Sequence, residues 1–283
     1  PRYASPSAQG DLDPMTRDIA LSGAAIFDGE SWHEDRALLI RDGRVAALDA
    51  PDAVPGDADI LDLGGGMLVP GFVDLQVNGG GGVQFGAATD ASSIAALCAA
   101  HFPFGTTALL PTLITDTREV TRAALAGGAE AARQGVPGFA GLHIEGPHLS
   151  LARKGAHNPD YIRPMEEDDL ELLIAARETM PVLLTTLAPE SVSPNQITRL
   201  AAGGVVVSLG HTDTSAQSAQ TCFEAGATMV THLFNAMSQL GNREPGLVGA
   251  ALTAHGVHAG LIADGIHVHP ASITVALRAK SGH

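Results

Sequence analysis

The sequence predicts an α/β protein in which a small β unit precedes a long series of alternating strands and helices. Residues 16–69 carry Asp-Gly and Gly-Gly turn signals between short apolar runs, a pattern typical of hairpins. From residue 70 onward, short apolar runs alternate with alanine-rich helical stretches, which is typical of βα units in a parallel sheet. The length of 283 residues suits one barrel domain with a small appendage.

The N-terminal part divides into a tail and the β unit. Residues 1–15 are polar and do not begin with Met, so we predict a loose, disordered tail that takes no part in the fold. Within residues 16–69, the stretch "IRDGRV" is predicted to be a tight hairpin, because Asp-Gly favours two-residue turns.

Seven short apolar runs follow residue 70 and are predicted strands. They read "GFVDLQV", "TTALLPTLI", "FAGLHIE", "PVLLTTLAP", "GVVVSLG", "TMVTHLF" and "HAGLIADGI". A TIM-like (β/α)8 barrel has eight strands. After the seventh run comes one more helical stretch, and the sequence then ends at His283. Residues 70–283 are therefore predicted to be a barrel that lacks its last strand, with an open seven-stranded sheet as the alternative. We expect the sequence to be a fragment of a longer protein, with a natural truncation as the alternative.

Helical stretches separate the predicted strands. They read "DASSIAALCAAHFPFG", "TREVTRAALAGGAEAARQG", "MEEDDLELLIAARE", "SPNQITRLAAGG", "TSAQSAQTCFEAG" and "PASITVALRAKSGH". Cys98 and Cys222 lie within them and are predicted to be buried thiols, which fits a reducing cytoplasm.

Charge and hydropathy exclude several classes of partner. The chain has 16 Lys and Arg against 31 Asp and Glu, a net charge of −15. Such an acidic protein binds nucleic acid and anionic membranes poorly. No apolar run is long enough for a transmembrane helix. We therefore expect neither a nucleic-acid nor a membrane partner.

Polar residues collect at the predicted carboxyl ends of the strands, where barrels of this kind carry their active sites. They are Asp74, Gln76, Asn78, His143, Glu145, His148, His211, Asp213, His232, Asn235, Asp264, His267 and His269. Taken singly, each is readily explained as a hydrogen-bonded structural residue. Together, Glu145, His211 and His232 come from three strands and offer two imidazoles and one carboxylate. This ligand set suits catalytic Zn²⁺, and also Fe²⁺ or another divalent metal.

Five ordered motifs carry a resemblance to a known family. They are "PGFVDLQVNGGGGVQF", "GLHIEGPHLS" with "KGAHNP", "SLGHTDTSAQSA", "THLFNAMSQLGNREPGLVGA" and "IADGIHVHP", spanning Pro70 to Pro270. In these motifs the chain resembles the N-acetylglucosamine-6-phosphate deacetylases of the amidohydrolase superfamily. The resemblance implies a metal-dependent hydrolase barrel, and it implies that residues 16–69 are the N-terminal portion of a small β-sandwich domain.

The resemblance assigns the metal centre residue by residue. Glu145, His211 and His232 match the metal ligands of the family. Many amidohydrolases place His-x-His on the first barrel strand, where this chain has Gln76 and Asn78. Amides are poor metal ligands beside imidazole, so one divalent metal per chain is expected, zinc before iron. Gln76 and Asn78 are expected to hydrogen-bond the water at the metal.

The resemblance also assigns the substrate contacts. They are Ala156, His157, Asn235, Ala236, Arg243, Asp264 and His267. Arg243 matches the phosphate-binding arginine, since a guanidinium suits phosphate oxygens. His267 matches a histidine that polarises the acetamido carbonyl. His143 and His148 receive no role from the resemblance, although either could support the ligands from behind.

The implied reaction is hydrolysis of the N-acetyl group of N-acetylglucosamine 6-phosphate to glucosamine 6-phosphate and acetate, as in amino-sugar catabolism and cell-wall recycling. In the family, an Asp in a "TDA"-like motif at the end of the eighth strand transfers the proton. We expect no such motif here, so this polypeptide alone is predicted to be inactive. It is also predicted to be poorly stable, because an open barrel exposes a strand edge and apolar surface. The alternatives are another amidohydrolase, or a non-catalytic sugar-phosphate sensor. A homodimer in the cytoplasm is also implied.

Overall fold

The computed structural model describes residues 18–86 and 88–280, and the predicted tail at residues 1–15 lies outside the described residues. The chain divides into two compact units, with the boundary between Gly71 and Phe72.

The first unit contains two small sheets. Its strands are β1 (Ile19–Ser22), β2 (Ala25–Phe27), β3 (Trp32–His33), β4 (Ala37–Arg41), β5 (Arg44–Asp49), β6 (Asp59–Asp62) and β7 (Met67–Leu68). One sheet has the order β5-β4-β1-β6 and the other β3-β2-β7. The predicted "IRDGRV" hairpin is confirmed, because β4 and β5 pair in antiparallel fashion. Asp42 and Gly43 form its turn with φ of 50° and 69°, as a type I′ turn requires.

The second unit is built on a seven-stranded parallel sheet. Its strands are β8 (Phe72–Val77), β11 (Thr106–Ile114), β12 (Leu142–Glu145), β13 (Leu183–Leu187), β14 (Val206–Leu209), β15 (Met229–Val230) and β16 (His258–Ala259). The order in the sheet follows the order in the chain. Each of the seven predicted runs contains one strand, although the last two are much shorter than predicted. A separate small hairpin, β9 (Gly79–Gly80) and β10 (Val83–Gln84), follows β8.

The sheet curls so that its two edges face one cavity. Residues 73–76 of β8 and residues 260–263, which follow β16, line the same space of about 560 Å³. Among the described residues, no strand pairs with both β16 and β8 to close the ring. The architecture is therefore an open half-barrel in which residues at both edges of the sheet contribute to one concave surface.

Helices cover the outer face of the sheet. They are α1 (Ala91–His101), α2 (Arg118–Gln134), α3 (Glu167–Arg177), α4 (Pro194–Ala202), α5 (Ala216–Glu224), α6 (Gly246–Thr253) and α7 (Pro270–Lys280). Side chains of Asp90, Thr117, Ser193 and Ser215 cap four of them by accepting a backbone N–H from the first turn. None of the described helices combines the length and apolarity that a membrane crossing requires.

Helix α6 was not predicted. Its residues from Gly246 to Leu252 are all buried. A helix that is apolar on every side has no amphipathic pattern for a sequence analysis to detect.

Alternation along the strands separates a packed face from a polar one. In β12, Leu142 and Ile144 belong to the core between sheet and helices, whereas His143 and Glu145 point the other way. Burying an aliphatic side chain of this size stabilises the fold by about 2 kcal/mol. The core thus fixes the strands, and the strands direct the polar residues toward the concave side.

Candidate metal centre

Three strand ends deliver the predicted ligands to one point. Glu145 is the last residue of β12, His211 follows β14 after Gly210, and His232 lies two residues beyond β15. His211 and His232 have φ of 49° and 35°, in the left-handed region that non-glycine residues rarely occupy. Such backbone strain persists only where the surrounding structure imposes it, and it is concentrated at functional sites.

The three side chains are close together and buried. Glu145 Oε1 lies 3.3 Å from His211 Nε2 and 3.2 Å from His232 Nε2, and the two Nε2 atoms are 3.0 Å apart. Side-chain exposures are only 3%, 7% and 8% for Glu145, His211 and His232. These residues, called the ligand group below, are the only cluster of potential metal-binding side chains found among residues 18–86 and 88–280.

Backbone carbonyls orient both imidazoles. His211 Nδ1 is 2.9 Å from the Arg153 carbonyl oxygen, and His232 Nδ1 is 3.1 Å from the Asn235 carbonyl oxygen. A carbonyl only accepts hydrogen bonds, so each Nδ1 carries a proton and each neutral ring directs its Nε2 lone pair inward. This is the arrangement in which histidine binds metal, with the second nitrogen anchored by hydrogen bonding.

Glu145 is held as an anion in this site. Burial raises the pKa of Glu145, but the imidazoles of His211 and His232 beside its carboxylate outweigh burial and hold the pKa well below its ordinary value. One carboxylate and two inward-facing Nε2 atoms fit a divalent cation such as Zn²⁺ or Fe²⁺.

The neighbours of Glu145 come from the first strand and from the loop after β12. Gln76 Nε2 donates to Glu145 Oε1 at 3.0 Å. The Thr115 backbone N–H donates to His157 Nδ1 at 3.2 Å, so the proton of a neutral His157 ring lies on Nε2, 3.8 Å from Glu145 Oε2. Burial lowers the pKa of His157 to about 4, which keeps that ring neutral. Asn78 is exposed and lines the cavity.

The predicted substrate residues occupy varied environments. Ala156 is exposed, although its neighbour His157 is buried. Asn235 holds His232 through its carbonyl oxygen, and Ala236 is half-buried with φ of 48°. Arg243 is exposed in the segment before α6.

Asp264 and His267 form a pair after β16. His267 Nδ1 lies 2.6 Å from Asp264 Oδ2, and Asp264 Oδ1 accepts the backbone N–H groups of Ile266 and His267 at 2.8 Å each. The side-chain hydrogen bond from His267 is the main reason that the pKa of Asp264 falls to about 2. Asp264 thus orients His267, and both side chains are exposed.

The two histidines without a predicted role are both buried. His143 Nε2 is 2.7 Å from Thr186 Oγ1, and His148 Nδ1 is 3.1 Å from the Arg163 carbonyl oxygen. Burial lowers the pKa of each to about 4. Neither belongs to the ligand group.

The letters Thr-Asp-Ala do occur once, at residues 89–91, contrary to the expectation that this chain has no such motif. Asp90 there caps α1, because its carboxylate accepts the Ser93 N–H at 2.8 Å. This triplet follows the first strand of the half-barrel, whereas the resemblance implies a position after an eighth strand.

Several residues of the site had no sequence signal of their own. Arg153 and Asn235 orient the ligands through backbone oxygens, which every residue type possesses. Thr115, Thr186 and Thr231 are buried hydroxyls close to the site. Polar residues within otherwise apolar strands, as in "LLTTL", are the signal that could have identified Thr186.

Known proteins are similar to this chain over most of its length. A deacetylase of N-acetylgalactosamine 6-phosphate from Shewanella sp. (strain ANA-3) is 45% identical over 93% of this chain and 66% of its own. A deacetylase of N-acetylglucosamine 6-phosphate from Homo sapiens is 39% identical over 94% of this chain and 63% of its own. The chain thus spans just under two thirds of the length of these curated relatives.

Solved structures agree in fold. The N-acetylglucosamine-6-phosphate deacetylase from Pasteurella multocida superposes with a TM-score of 0.89 at 33% identity, covering 93% of this chain and 69% of its own. An aspartate-to-alanine mutant of the Mycobacterium smegmatis deacetylase, in complex with N-acetyl-D-glucosamine 6-phosphate, superposes with a TM-score of 0.81 at 35% identity, covering 93% and 67%. The model of the amidohydrolase family matches residues 67–283. With its ligand group at the ends of parallel strands, this chain belongs to the amidohydrolase family.

Proposed function

We propose that the whole protein hydrolyses the N-acetyl group of N-acetylglucosamine 6-phosphate, giving glucosamine 6-phosphate and acetate. The observation that carries this proposal is the buried ligand group beside a cavity of about 560 Å³ at the strand ends. The deacetylases named among the relatives support the choice of substrate.

Each residue of the proposed active site has a separate role. Glu145, His211 and His232 would hold the cation. When bound, such a cation polarises the amide carbonyl and lowers the pKa of a coordinated water. Gln76 fixes the Glu145 carboxylate by donating to its Oε1 at 3.0 Å. His267, anchored through Nδ1 to Asp264, would donate from Nε2 to the acetamido oxygen when both ring nitrogens carry a proton.

The remaining predicted contacts complete the proposed site. Asn78 lines the cavity beside Gln76, and Ala156 with His157 belongs to the loop that would cover the sugar. Asn235 and Ala236 would offer backbone groups to the substrate. The proton-transferring aspartate that the resemblance implies is not assigned to a residue of this chain.

Acetate release tests the proposal directly. We expect the full gene product to release one acetate and one free amine from each N-acetylglucosamine 6-phosphate. N-acetylgalactosamine 6-phosphate is tested in the same assay, because the relative from Shewanella is named as a deacetylase of that sugar phosphate. Tight binding of both sugar phosphates without acetate release would instead support a sensor. Hydrolysis of other amides alone would support a different amidohydrolase.

Arg243→Ala is expected to raise KM for the phosphorylated sugar about 10- to 100-fold, since hydrogen bonds to charged groups contribute about 1.5–3 kcal/mol. The KM of Arg243→Lys should lie between that of the unsubstituted protein and that of Arg243→Ala, because lysine keeps the charge and loses the paired donors of the guanidinium. Steady-state kinetics measure the effect. Arg44→Ala, which removes an exposed arginine from the β4–β5 hairpin, is the control and should leave KM unchanged. An unchanged KM for Arg243→Ala would contradict the phosphate assignment.

The finer properties of the protein are proposed on the same basis. We infer one zinc per chain, with iron as the alternative, since both suit two imidazoles and a carboxylate. The free, buried thiols of Cys98 and Cys222 support a cytoplasmic location. The resemblance supports a homodimer. It also supports a TIM-like (β/α)8 barrel, of which the half-barrel of residues 70–283 would be one part, and a small β-sandwich at residues 16–69.

A further inference from the structure

A row of buried polar side chains lies beneath the ligand group on the concave face of the sheet. Its members, called the polar belt below, are Thr112, His143, Thr186, Ser208 and Thr231, and none is more than 3% exposed. Short side-chain contacts link each member to the next. Thr112 Oγ1 is 3.3 Å from His143 Nδ1, His143 Nε2 is 2.7 Å from Thr186 Oγ1, and Thr231 Oγ1 is 2.6 Å from both Thr186 Oγ1 and Ser208 Oγ.

Backbone groups at Thr112 set the direction of these hydrogen bonds. The Thr112 hydroxyl accepts the Val77 N–H at 2.9 Å and donates to the Leu110 carbonyl at 3.1 Å. A hydroxyl has one proton, so Thr112 has only an acceptor left for His143. His143 Nδ1 therefore carries the proton that is donated to Thr112.

The rest of the belt follows from that assignment. With the ring proton on Nδ1, His143 Nε2 accepts from the Thr186 hydroxyl. The Thr186 hydroxyl has then used its proton, so it accepts a hydrogen bond from Thr231. The Thr231 hydroxyl has likewise used its proton and accepts a hydrogen bond from Ser208. Every hydroxyl proton and every ring nitrogen in the belt has one partner, with all donors pointing the same way. Burial makes this complete pairing matter, since an unpaired buried polar group costs about 1–3 kcal/mol.

The belt connects the strands that carry the ligands. Its members lie on or directly after β11, β12, β13, β14 and β15. Glu145 pairs in register with Thr186, and the Gly146 N–H donates to the Thr186 carbonyl at 3.0 Å. Thr231 immediately precedes His232 in the chain. A shift in the belt would therefore move the ligand group itself.

We propose that the polar belt, with His143 as its Nδ1–H tautomer, is a positioning device that holds the ligand group at the spacing a divalent cation requires. This inference rests on the metal centre of the proposed function. None of its members belongs to the ligand group. They act through the strands and through the residues next to the ligands.

Cobalt(II) binding by the full gene product tests the proposal, followed by the visible spectrum of the bound ion and by competition with zinc. We expect Thr186→Val to weaken cobalt(II) affinity about 10- to 100-fold, the range seen when partners of metal ligands are removed. Thr186→Ser keeps the hydroxyl and should restore affinity to within about 3-fold of the original.

Thr185→Val is the matched control. Thr185 lies on the same strand, is equally buried, and donates to the Ile144 carbonyl at 3.2 Å on the opposite face. We expect it to lower stability as Thr186→Val does, while cobalt(II) affinity stays within about 3-fold. Equal losses of affinity in the two variants, or an unchanged affinity in Thr186→Val, would overturn the proposal. Ser208→Ala offers a second belt variant if Thr186→Val does not fold.

A measurement on the unsubstituted chain tests the direction of the belt. Nitrogen-15 NMR of labelled histidine distinguishes the two neutral tautomers, and the His143 signal can be assigned from contacts with the methyl groups of Thr112 and Thr186. We expect the Nδ1–H form, and the Nε2–H form would overturn the proposed direction. Neither experiment uses a substrate, so a lack of acetate release would defeat the proposed function and leave the belt intact. Absence of cobalt(II) binding by the unsubstituted chain would defeat the positioning role.

Discussion

His232→Ala is expected to remove the bound metal and lower acetate release about 10³-fold or more. The cation supplies several kcal/mol of charge stabilisation, and each 1.4 kcal/mol or so is worth a factor of about ten in rate. Two of the three donors would remain, but Glu145 Oε1 would lose the Nε2 partner that lies 3.2 Å away. His211→Ala should have the same effect. Elemental analysis measures metal per chain, and steady-state assays of the full gene product measure the rate.

The control for this prediction is another buried histidine. His148→Asn replaces a ring that is 2% exposed and keeps a donor for the Arg163 carbonyl. We expect its metal content to stay at about one per chain, because His148 lies outside the ligand group. Retention of a full complement of metal by both His232→Ala and His211→Ala would show that the ligand group is not the metal site.

His267→Ala is expected to lower kcat about 10²- to 10³-fold, the cost of removing one donor to a developing oxyanion. Metal content should not change, since His267 does not belong to the ligand group. Asp264→Asn should give a smaller loss, because the amide keeps a partner for His267 Nδ1 and removes only the negative charge. The comparison of kcat with KM separates the two roles, since a residue that acts on the transition state lowers kcat.

His269→Asn is the control for the loop that carries His267. His269 is exposed two residues further on, and its Nδ1 accepts the Ala271 N–H at 3.1 Å. We expect kcat to remain unchanged in this variant. Similar losses of kcat in His269→Asn and His267→Ala would mean that the loop matters as a whole and that His267 has no particular role.

The strand pattern and the ligand group are the parts that the sequence predicted best. Buried parallel strands are apolar runs bounded by turn residues, and all seven were found for that reason. Their carboxyl ends lie at one edge, so polar residues as distant in sequence as Glu145 and His232 could be expected to converge. Helix α6 escaped notice because it is apolar on every side.

Other features depend on geometry that no residue pattern contains. The Arg153 and Asn235 carbonyls orient the ligands. Every residue type has a backbone oxygen, so the sequence does not indicate which ones take part. Thr185 and Thr186 look equivalent in "LLTTL", yet only Thr186 faces His143. Which of two adjacent threonines enters the site is decided by the register of β13 against β12.

The order of the strands has a consequence for how the site is assembled during synthesis. Because each strand of the sheet pairs with its neighbours in the chain, a growing polypeptide can add each strand to an edge that already exists. Glu145 is made 87 residues before His232. At roughly 5–20 residues per second, this delay lasts about 4–17 s. The metal can therefore bind the full ligand group only after β15 has joined the sheet. Metal binding by a nascent chain would then indicate that translation has passed this strand.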